Sequence, residues 1–145
     1  MEERKYPVDT QTFSELIGGK YIYIDKTDLV YKMTHDYRYV FLSRPRRFGK
    51  SLMCSTLKAY FNGNRELFRG LKIDAMEKEW VKFPILNITF AKAKDVTVDS
   101  LNAIINRMLD EFETDFGLSK NSDDSGVRLS DIIKVPSKKR AKRLW

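Results

Sequence analysis

The sequence has one cysteine and one histidine among its 145 residues. A single thiol excludes an intrachain disulfide, and one thiol with one imidazole cannot supply the ligands of a structural zinc site. No apolar run approaches the roughly 18 to 20 residues that cross a bilayer. The first ten residues are charged and unlike a secretion signal. The sequence therefore predicts a cytoplasmic protein without a membrane partner.

Length and composition are those of one globular domain of ordinary size or of part of a larger one. A hydrophobic content of 42% is enough to bury a core, which argues against a chain that is disordered throughout. The net charge of +7 comes mainly from a carboxyl-terminal stretch without acidic residues, because residues 1–133 hold 21 basic and 20 acidic side chains. That stretch has six cations: Lys134, Lys138, Lys139, Arg140, Lys142 and Arg143. A disordered basic tail is expected at residues 137–143, with binding to nucleic acid or to an acidic surface as the alternative.

Hydrophobic spacing predicts alternating strands and helices. Compact aromatic and β-branched runs predict strands at residues 21–24, 39–42 and 83–90. Helical spacing covers residues 13–17, 26–34, a segment after Gly49 and residues 98–118. This order predicts an α/β fold with a mostly parallel sheet flanked by helices. In the helix after Gly49, Cys54 is expected to be a packed thiol.

The segment that follows residues 39–42 carries the decisive pattern. A phosphate-binding loop needs a strand, a tight turn with inward N–H groups, a lysine, and a hydroxyl at the start of a helix. Gly49, Lys50 and Ser51 supply the last parts in order, although Arg44 stands where G-x-x-x-x-G-K-[ST] has its first glycine. In such a loop the N–H donors nearest the phosphates come from its later part. An arginine in place of the first glycine therefore does not remove the phosphate-binding mechanism. The alternative is a surface turn with a solvated lysine.

The whole run resembles the phosphate loop of a known family. It reads Ser43-Arg44-Pro45-Arg46-Arg47-Phe48-Gly49-Lys50-Ser51-Leu52, and it is accompanied by Tyr6-Pro7-Val8, Phe13 and a run ending in Asp25-Lys26-Thr27. Over about residues 6–118 the chain is similar to the amino-terminal part of the bacterial AAA-ATPase-like family, which characteristically has arginine at the position of Arg44. Members often carry a PD-(D/E)XK nuclease-like domain at their carboxyl end. The resemblance implies a P-loop NTPase-like fold and ATP hydrolysis coupled to a conformational change.

The resemblance also implies a site for ATP and Mg²⁺. Lys50 would contact the β- and γ-phosphates, Ser51 would be the Mg²⁺ ligand, and Gly49 would shape the loop. The other implied nucleotide-binding residues are Arg46, Arg47, Phe48 and Leu52. The two arginines either add positive potential beside the phosphates or project into solvent. The Asp25-Lys26-Thr27 run is either a helix cap or has a family-specific role near the nucleotide base or in domain packing.

The Walker B strand of a P-loop ATPase is missing from the sequence. Hydrolysis needs a further apolar strand that ends in a Mg²⁺-holding acid, and after Leu118 no run of four apolar residues leads into Asp or Glu. We therefore expect residues 1–118 to be the amino-terminal part of a P-loop ATPase-like domain, incomplete at its carboxyl-terminal side and weak or inactive in hydrolysis. A polar loop, a short helix and the basic tail would follow at residues 119–145. The incomplete sheet would leave an unpaired edge open to self-association.

The sequence leaves two alternatives to nucleotide binding open. The basic cluster at residues 44–50 and the tail would form a nucleic-acid-binding module without nucleotide chemistry, whose affinity falls steeply with salt. Alternatively, the chain would be a non-functional remnant, recognisable by poor solubility or a broad melt.

Overall fold

A computed structural model describes residues 5–8, 10, 12–89 and 97–139, and these residues are mostly helical. Six α-helices follow one another in the described part of the chain: α1 (Phe13–Gly18), α2 (Thr27–Asp36), α3 (Lys50–Phe61), α4 (Lys72–Met76), α5 (Val98–Phe116) and α6 (Ser125–Lys139). A 3₁₀ helix at Arg65–Phe68 lies between α3 and α4. None of the described helices has the length and apolar character of a membrane span.

The expected α/β fold, P-loop NTPase-like with a mostly parallel sheet, is wrong for the described residues. No strand forms at residues 21–24, 39–42 or 83–89, and Phe90 lies outside the described residues. The described chain has one isolated parallel bridge, between Lys5 and Tyr21, where the Ile22 N–H donates to the Lys5 carbonyl at 2.8 Å. Without a sheet in these residues, the predicted sheet edge and the self-association through it are also corrected.

The apolar runs at residues 21–24, 39–42 and 83–89 have environments that differ from that of a strand inside a sheet. In residues 21–24, Tyr23 packs edge-on against Phe13 of α1 with ring centroids 5.5 Å apart. The Phe83 N–H donates to the Phe61 carbonyl at the end of α3, 2.6 Å away. Tyr39 and Phe41 are 83% and 92% exposed. A parallel strand is stable where neighbours pair with both its edges and cover both its faces, and the described residues give these runs no such neighbours.

The helices predicted from local signals are confirmed. Helix α1 begins at Phe13 and ends beside Gly19, whose N–H donates to the Glu15 carbonyl at 2.8 Å. Helix α5 begins at Val98, after a reciprocal capping box between Thr97 and Ser100. It ends at Phe116, two residues before the predicted position, and its C-cap is Gly117, which has a left-handed φ of +65°. Capping groups and glycine fix these ends because they satisfy the N–H and C=O groups that a helix leaves unpaired.

The amino-terminal unit, Met1–Ile85, has its own hydrophobic core. Helices α1, α2, α3 and α4 and the 3₁₀ segment contribute buried side chains, and Trp80 packs against them. The buried members are Phe13, Val30, Ala59, Tyr60, Phe68 and Ile73. This core holds α3, and with it the end of the candidate loop.

The carboxyl-terminal unit, Leu86–Trp145, is built on the packing of α5 against α6. Leu109, Phe112 and Ile132 form its buried core. Helix α6 begins at Ser125 and continues to Lys139, so it is longer than the short helix expected between the polar loop and the basic tail. The division into residues 1–118 and 119–145 remains a prediction.

Candidate phosphate-binding loop

The candidate loop leads into α3, whose apolar face anchors it. Leu52 and Met53 in the first turn and Leu57 in the second pack on the core of the amino-terminal unit. The hydroxyl of Ser55 accepts a hydrogen bond from the Phe13 N–H at 2.9 Å, which ties α3 to the start of α1. Residues 43–51 themselves are exposed. The packed helix therefore presents its first residues, and the loop before them, to solvent.

Two hydrogen bonds cross the loop. The Lys50 Nζ donates to the Arg44 carbonyl at 2.8 Å. The Arg44 Nη1 donates to the Phe48 carbonyl at 3.4 Å, a longer and weaker contact. The side chains of Arg44 and Lys50, near the two ends of the loop, are thus both hydrogen-bonded to carbonyl groups of its backbone.

Two residues of the loop have the left-handed backbone conformation. Gly49 has a φ of +74° and Arg47 has a φ of +66°. Glycine adopts this conformation without steric cost, whereas an L-residue such as Arg47 pays about 1–2 kcal/mol for it. A Cβ at Gly49 would have nothing within 4 Å, so the requirement for glycine here is its φ rather than its size. Strained positions of this kind cluster at ligand-binding sites.

The start of α3 offers a row of backbone donors. The first helical hydrogen bond runs from the Met53 N–H to the Gly49 carbonyl at 2.9 Å. Among the described residues, the N–H groups from Gly49 to Leu52 have no hydrogen-bond acceptor. These groups carry the positive end of the helix dipole. Such an end binds phosphate oxygens.

The loop that leads to these donors carries four cations without compensating carboxylates among the described residues. No carboxylate oxygen in the described part of the chain lies within 4.0 Å of the side-chain nitrogens of Arg44, Arg46, Arg47 or Lys50. The loop is consequently a local positive patch in a protein whose body is nearly neutral. Clustered uncompensated charge of one sign attracts ligands of the opposite sign.

The structure brings together most of the residues that the sequence singled out. Arg46, Arg47 and Phe48 lie in the exposed loop, and Phe48 is 62% exposed. Ser51 is exposed, and its hydroxyl has no hydrogen-bond partner among the described residues. Leu52 differs, because its side chain packs on the core and leaves its N–H as the group open to a ligand.

Sequence reasoning missed the contacts of Arg44 and misjudged Cys54. In the sequence, Arg44 is a departure from glycine and the arginine characteristic of the family that the chain resembles, with no contact of its own, yet it takes part in both cross-loop hydrogen bonds. The sequence offered one signal for these contacts, which is that Phe48 and Lys50 follow Arg44 by only four and six residues. Cys54 is exposed rather than packed. It follows Lys50 by four residues and so lies on the same face of α3.

Asp25 caps α2 from the position before its N-cap residue, Lys26, and also joins α2 to α4. One carboxylate oxygen of Asp25 accepts from the Thr27 N–H at 2.9 Å and from its hydroxyl at 2.7 Å. The other accepts from the Lys72 N–H, the first residue of α4, at 2.7 Å. Desolvation is the largest single influence and raises the pKa of Asp25, but the hydrogen bonds from Thr27 and Lys72 together outweigh it and lower the pKa. This arrangement supports the helix-cap interpretation and packing within the amino-terminal unit.

Comparison with known proteins decides the family. Residues 7–145 match the sequence family described as predicted AAA-ATPase. The chain belongs to this AAA-ATPase-like family. It is 33% identical over 135 residues to an uncharacterized protein from the vnfD 5′ region of Azotobacter chroococcum mcd 1, a match that covers 92% of this chain and 26% of that protein. The chain thus spans about a quarter of the length of this relative. No solved structure matches it significantly.

Proposed function

We propose that this AAA-ATPase-like chain binds ATP together with Mg²⁺ at the loop before α3. The proposal is carried by the Lys50 Nζ bond to the Arg44 carbonyl, which holds an ammonium across a loop that leads into backbone N–H groups without acceptors. Membership of a predicted ATPase family supports the same ligand.

The chemistry of a polyphosphate matches this set of donors. Phosphate oxygens accept hydrogen bonds from the N–H groups of Gly49, Lys50, Ser51 and Leu52, and their negative charge is stabilised by the helix dipole. A phosphate oxygen would replace the Arg44 carbonyl as acceptor of the Lys50 ammonium. This exchange favours the nucleotide because a phosphate oxygen carries negative charge, which adds an electrostatic attraction to the Lys50 ammonium that the neutral carbonyl lacks.

The Ser51 hydroxyl fits a role in holding Mg²⁺. Mg²⁺ takes oxygen ligands and keeps several waters, so that one hydroxyl and phosphate oxygens suffice at nucleotide sites. A single neutral hydroxyl is too weak a ligand to hold the ion alone. We therefore propose that Mg²⁺ enters with the nucleotide.

Hydrolysis by this chain alone is proposed to be slow or absent. No apolar run followed by Asp or Glu comes after Leu118, so the sequence lacks the carboxylate that holds Mg²⁺ in hydrolysing P-loop ATPases. The activity of longer relatives is a separate matter, because this chain spans about a quarter of the relative it matches.

Titration with a fluorescent ATP analogue in Mg²⁺ tests the site. We expect Lys50→Ala to weaken binding by about tenfold or more, since it removes a charge-assisted hydrogen bond. Lys58→Ala is the matched control, because Lys58 is an exposed lysine in the last turn of the same helix. Equal affinities of the wild-type chain and Lys50→Ala would reject the site.

A nucleic-acid-binding function is the second candidate, favoured by exposed aromatic side chains near the basic loop. Tyr39, Phe41 and Phe48 are exposed, and the Arg38 guanidinium lies 5.5 Å from the centroid of the Tyr39 ring. Exposed aromatics interleaved with cations are typical of single-strand binding. This function would be favoured if the affinity for an oligonucleotide falls steeply with salt. Lys50→Ala should then weaken that affinity no more than the removal of any other single positive charge does.

The basic tail adds no structural support to that alternative. Residues 140–145 lie outside the described residues, so its contact with nucleic acid stays a prediction. Deleting residues 138–143 and repeating the oligonucleotide titration tests it. The remnant hypothesis is tested on the same samples, because a remnant would unfold without a cooperative transition and bind neither ligand.

A further inference from the structure

We propose that Arg44 is a second phosphate-binding cation, whose guanidinium contacts the polyphosphate beside the Lys50 ammonium. This inference rests on the proposed function, since it assigns a further residue to the same nucleotide site. In the sequence pattern, Arg44 occupies the position of a glycine and has no assigned role.

The geometry places the two cations across the same loop from opposite ends. Lys50, at the end of the loop, reaches back to the Arg44 carbonyl at 2.8 Å. Arg44, at its beginning, reaches forward to the Phe48 carbonyl at 3.4 Å, immediately before Gly49. Both cationic groups therefore lie against the backbone of the loop that leads into the free N–H groups of α3.

The fold itself gives little reason for an arginine at this position. Arg44 is exposed, and its one side-chain hydrogen bond is long, so its contribution to stability is small. No carboxylate among the described residues pairs with it. A guanidinium has five N–H donors, of which the structure engages one in this hydrogen bond. The remaining donors are available to a ligand.

The chemistry of the guanidinium identifies the ligand as a chain of phosphates. Its planar fork matches two oxygens of a phosphate group, whereas an ammonium acts as a point charge. A triphosphate presents enough oxygens for Lys50 and Arg44 to bind different phosphate groups at once. A monophosphate does not, so the contribution of Arg44 is expected to grow with the number of phosphates.

The substitution Arg44→Gly gives a sharp test, because it creates the full G-x-x-x-x-G-K-S pattern. If the motif alone mattered, this variant would bind ATP as well as the wild-type chain or better. We expect instead about tenfold to hundredfold weaker binding of ATP, and a loss for AMP of less than about threefold. Arg44→Lys should recover part of the ATP affinity, since it restores the charge without the fork. Arg69→Gly, an exposed arginine paired with Glu66, controls for net charge.

The outcomes separate this inference from the proposed function. If Lys50→Ala loses ATP affinity and Arg44→Gly retains it, the site stands and the role of Arg44 is overturned. If Arg44→Gly loses equally for ATP and AMP, and Arg44→Lys does not recover, Arg44 is structural and the inference is again overturned. If neither variant changes affinity, the proposed function fails with it. Should Arg44→Gly lose its helical circular dichroism, Arg44→Gln is titrated against the same nucleotides with the same expectations.

Discussion

Arg128 and Glu113 form a two-pronged ion pair between α6 and α5. The Arg128 Nε donates to one carboxylate oxygen of Glu113 at 2.8 Å and its Nη2 to the other at 2.7 Å. Arg128 is 2% exposed. Its remaining hydrogen bonds go to Asp110 at 2.5 Å and to the Asn106 side-chain carbonyl at 3.1 Å. Among the described residues, the buried guanidinium is therefore neutralised and hydrogen-bonded by side chains of α5, which makes it the main polar link between these helices.

Removing Arg128 should destabilise the carboxyl-terminal unit severely. Arg128→Met leaves Glu113 buried without its counter-ion, and breaking a buried pair costs on the order of 3 kcal/mol or more. The double substitution Arg128→Met with Glu113→Leu removes both charges and should recover most of that loss, because apolar replacements of buried pairs are often neutral or stabilising. Urea unfolding followed by circular dichroism at 222 nm measures both. A single variant as stable as the wild-type chain would contradict the account.

The same ion pair predicts a loss of stability in acid. Hydrogen bonds from Arg128 are the main cause that holds the pKa of Glu113 below its ordinary value of 4.5. Because the pKa is lower in the folded state, the pair contributes its full stability above about pH 4.5 and loses it as the pH falls through the folded pKa. The free energy of unfolding should fall more steeply below pH 4.5 in the wild-type chain than in the double variant. Parallel pH profiles of the two proteins would contradict this assignment.

Asp25 should stabilise the amino-terminal unit through its two helix ends. Asp25→Ala removes acceptors for the Thr27 and Lys72 N–H groups, and we expect a loss of about 2 kcal/mol, the sum of a cap and a further hydrogen bond. Denaturant unfolding followed by Trp80 fluorescence, in a Trp145→Phe background, measures it. Asp36→Ala is the control, because Asp36 is an exposed acid at the other end of α2. An equal effect of the two substitutions would reject the role given to Asp25.

The helices could be predicted from the sequence because their signals are local. The apolar stripe from Val98 and the glycine at the end of α5 act over a few residues, so their meaning does not depend on the rest of the chain. A strand depends on partners elsewhere in the sequence. The run at residues 39–42 has the composition of a buried strand, yet Phe41 is 92% exposed because the described residues place no strand beside it.

The candidate site also has a part that could be predicted from the sequence and a part that could not. Gly49, Lys50 and Ser51 could be placed at a helix start from their spacing alone, and α3 begins at Lys50. The cross-loop role of Arg44 could not, because a motif that asks for glycine assigns no contact to a side chain. The role of Arg128 could not be predicted for a similar reason, since its partners Glu113 and Asp110 are 15 and 18 residues away in the sequence.

Ser51 should contribute to ATP affinity only in the presence of Mg²⁺. Ser51→Ala removes a hydroxyl ligand, so we expect about fivefold weaker binding of ATP with Mg²⁺ and little change in EDTA. Ser51→Thr keeps the hydroxyl and should retain the affinity. Isothermal titration under the two conditions measures the difference. A loss of equal size with and without Mg²⁺ would show that Ser51 does not act through the metal.

The central claim is that the N–H groups at the start of α3 bind the phosphates of a nucleotide. The most direct measurement is a ¹H–¹⁵N NMR titration of the chain with ATP and Mg²⁺, followed by tripolyphosphate alone. We expect the largest chemical-shift changes on the N–H groups of Gly49, Lys50, Ser51 and Leu52 with both ligands, and we expect Lys50→Ala to reduce them. Changes that avoid these four residues, or a spectrum that saturating ATP leaves unaltered, would contradict it.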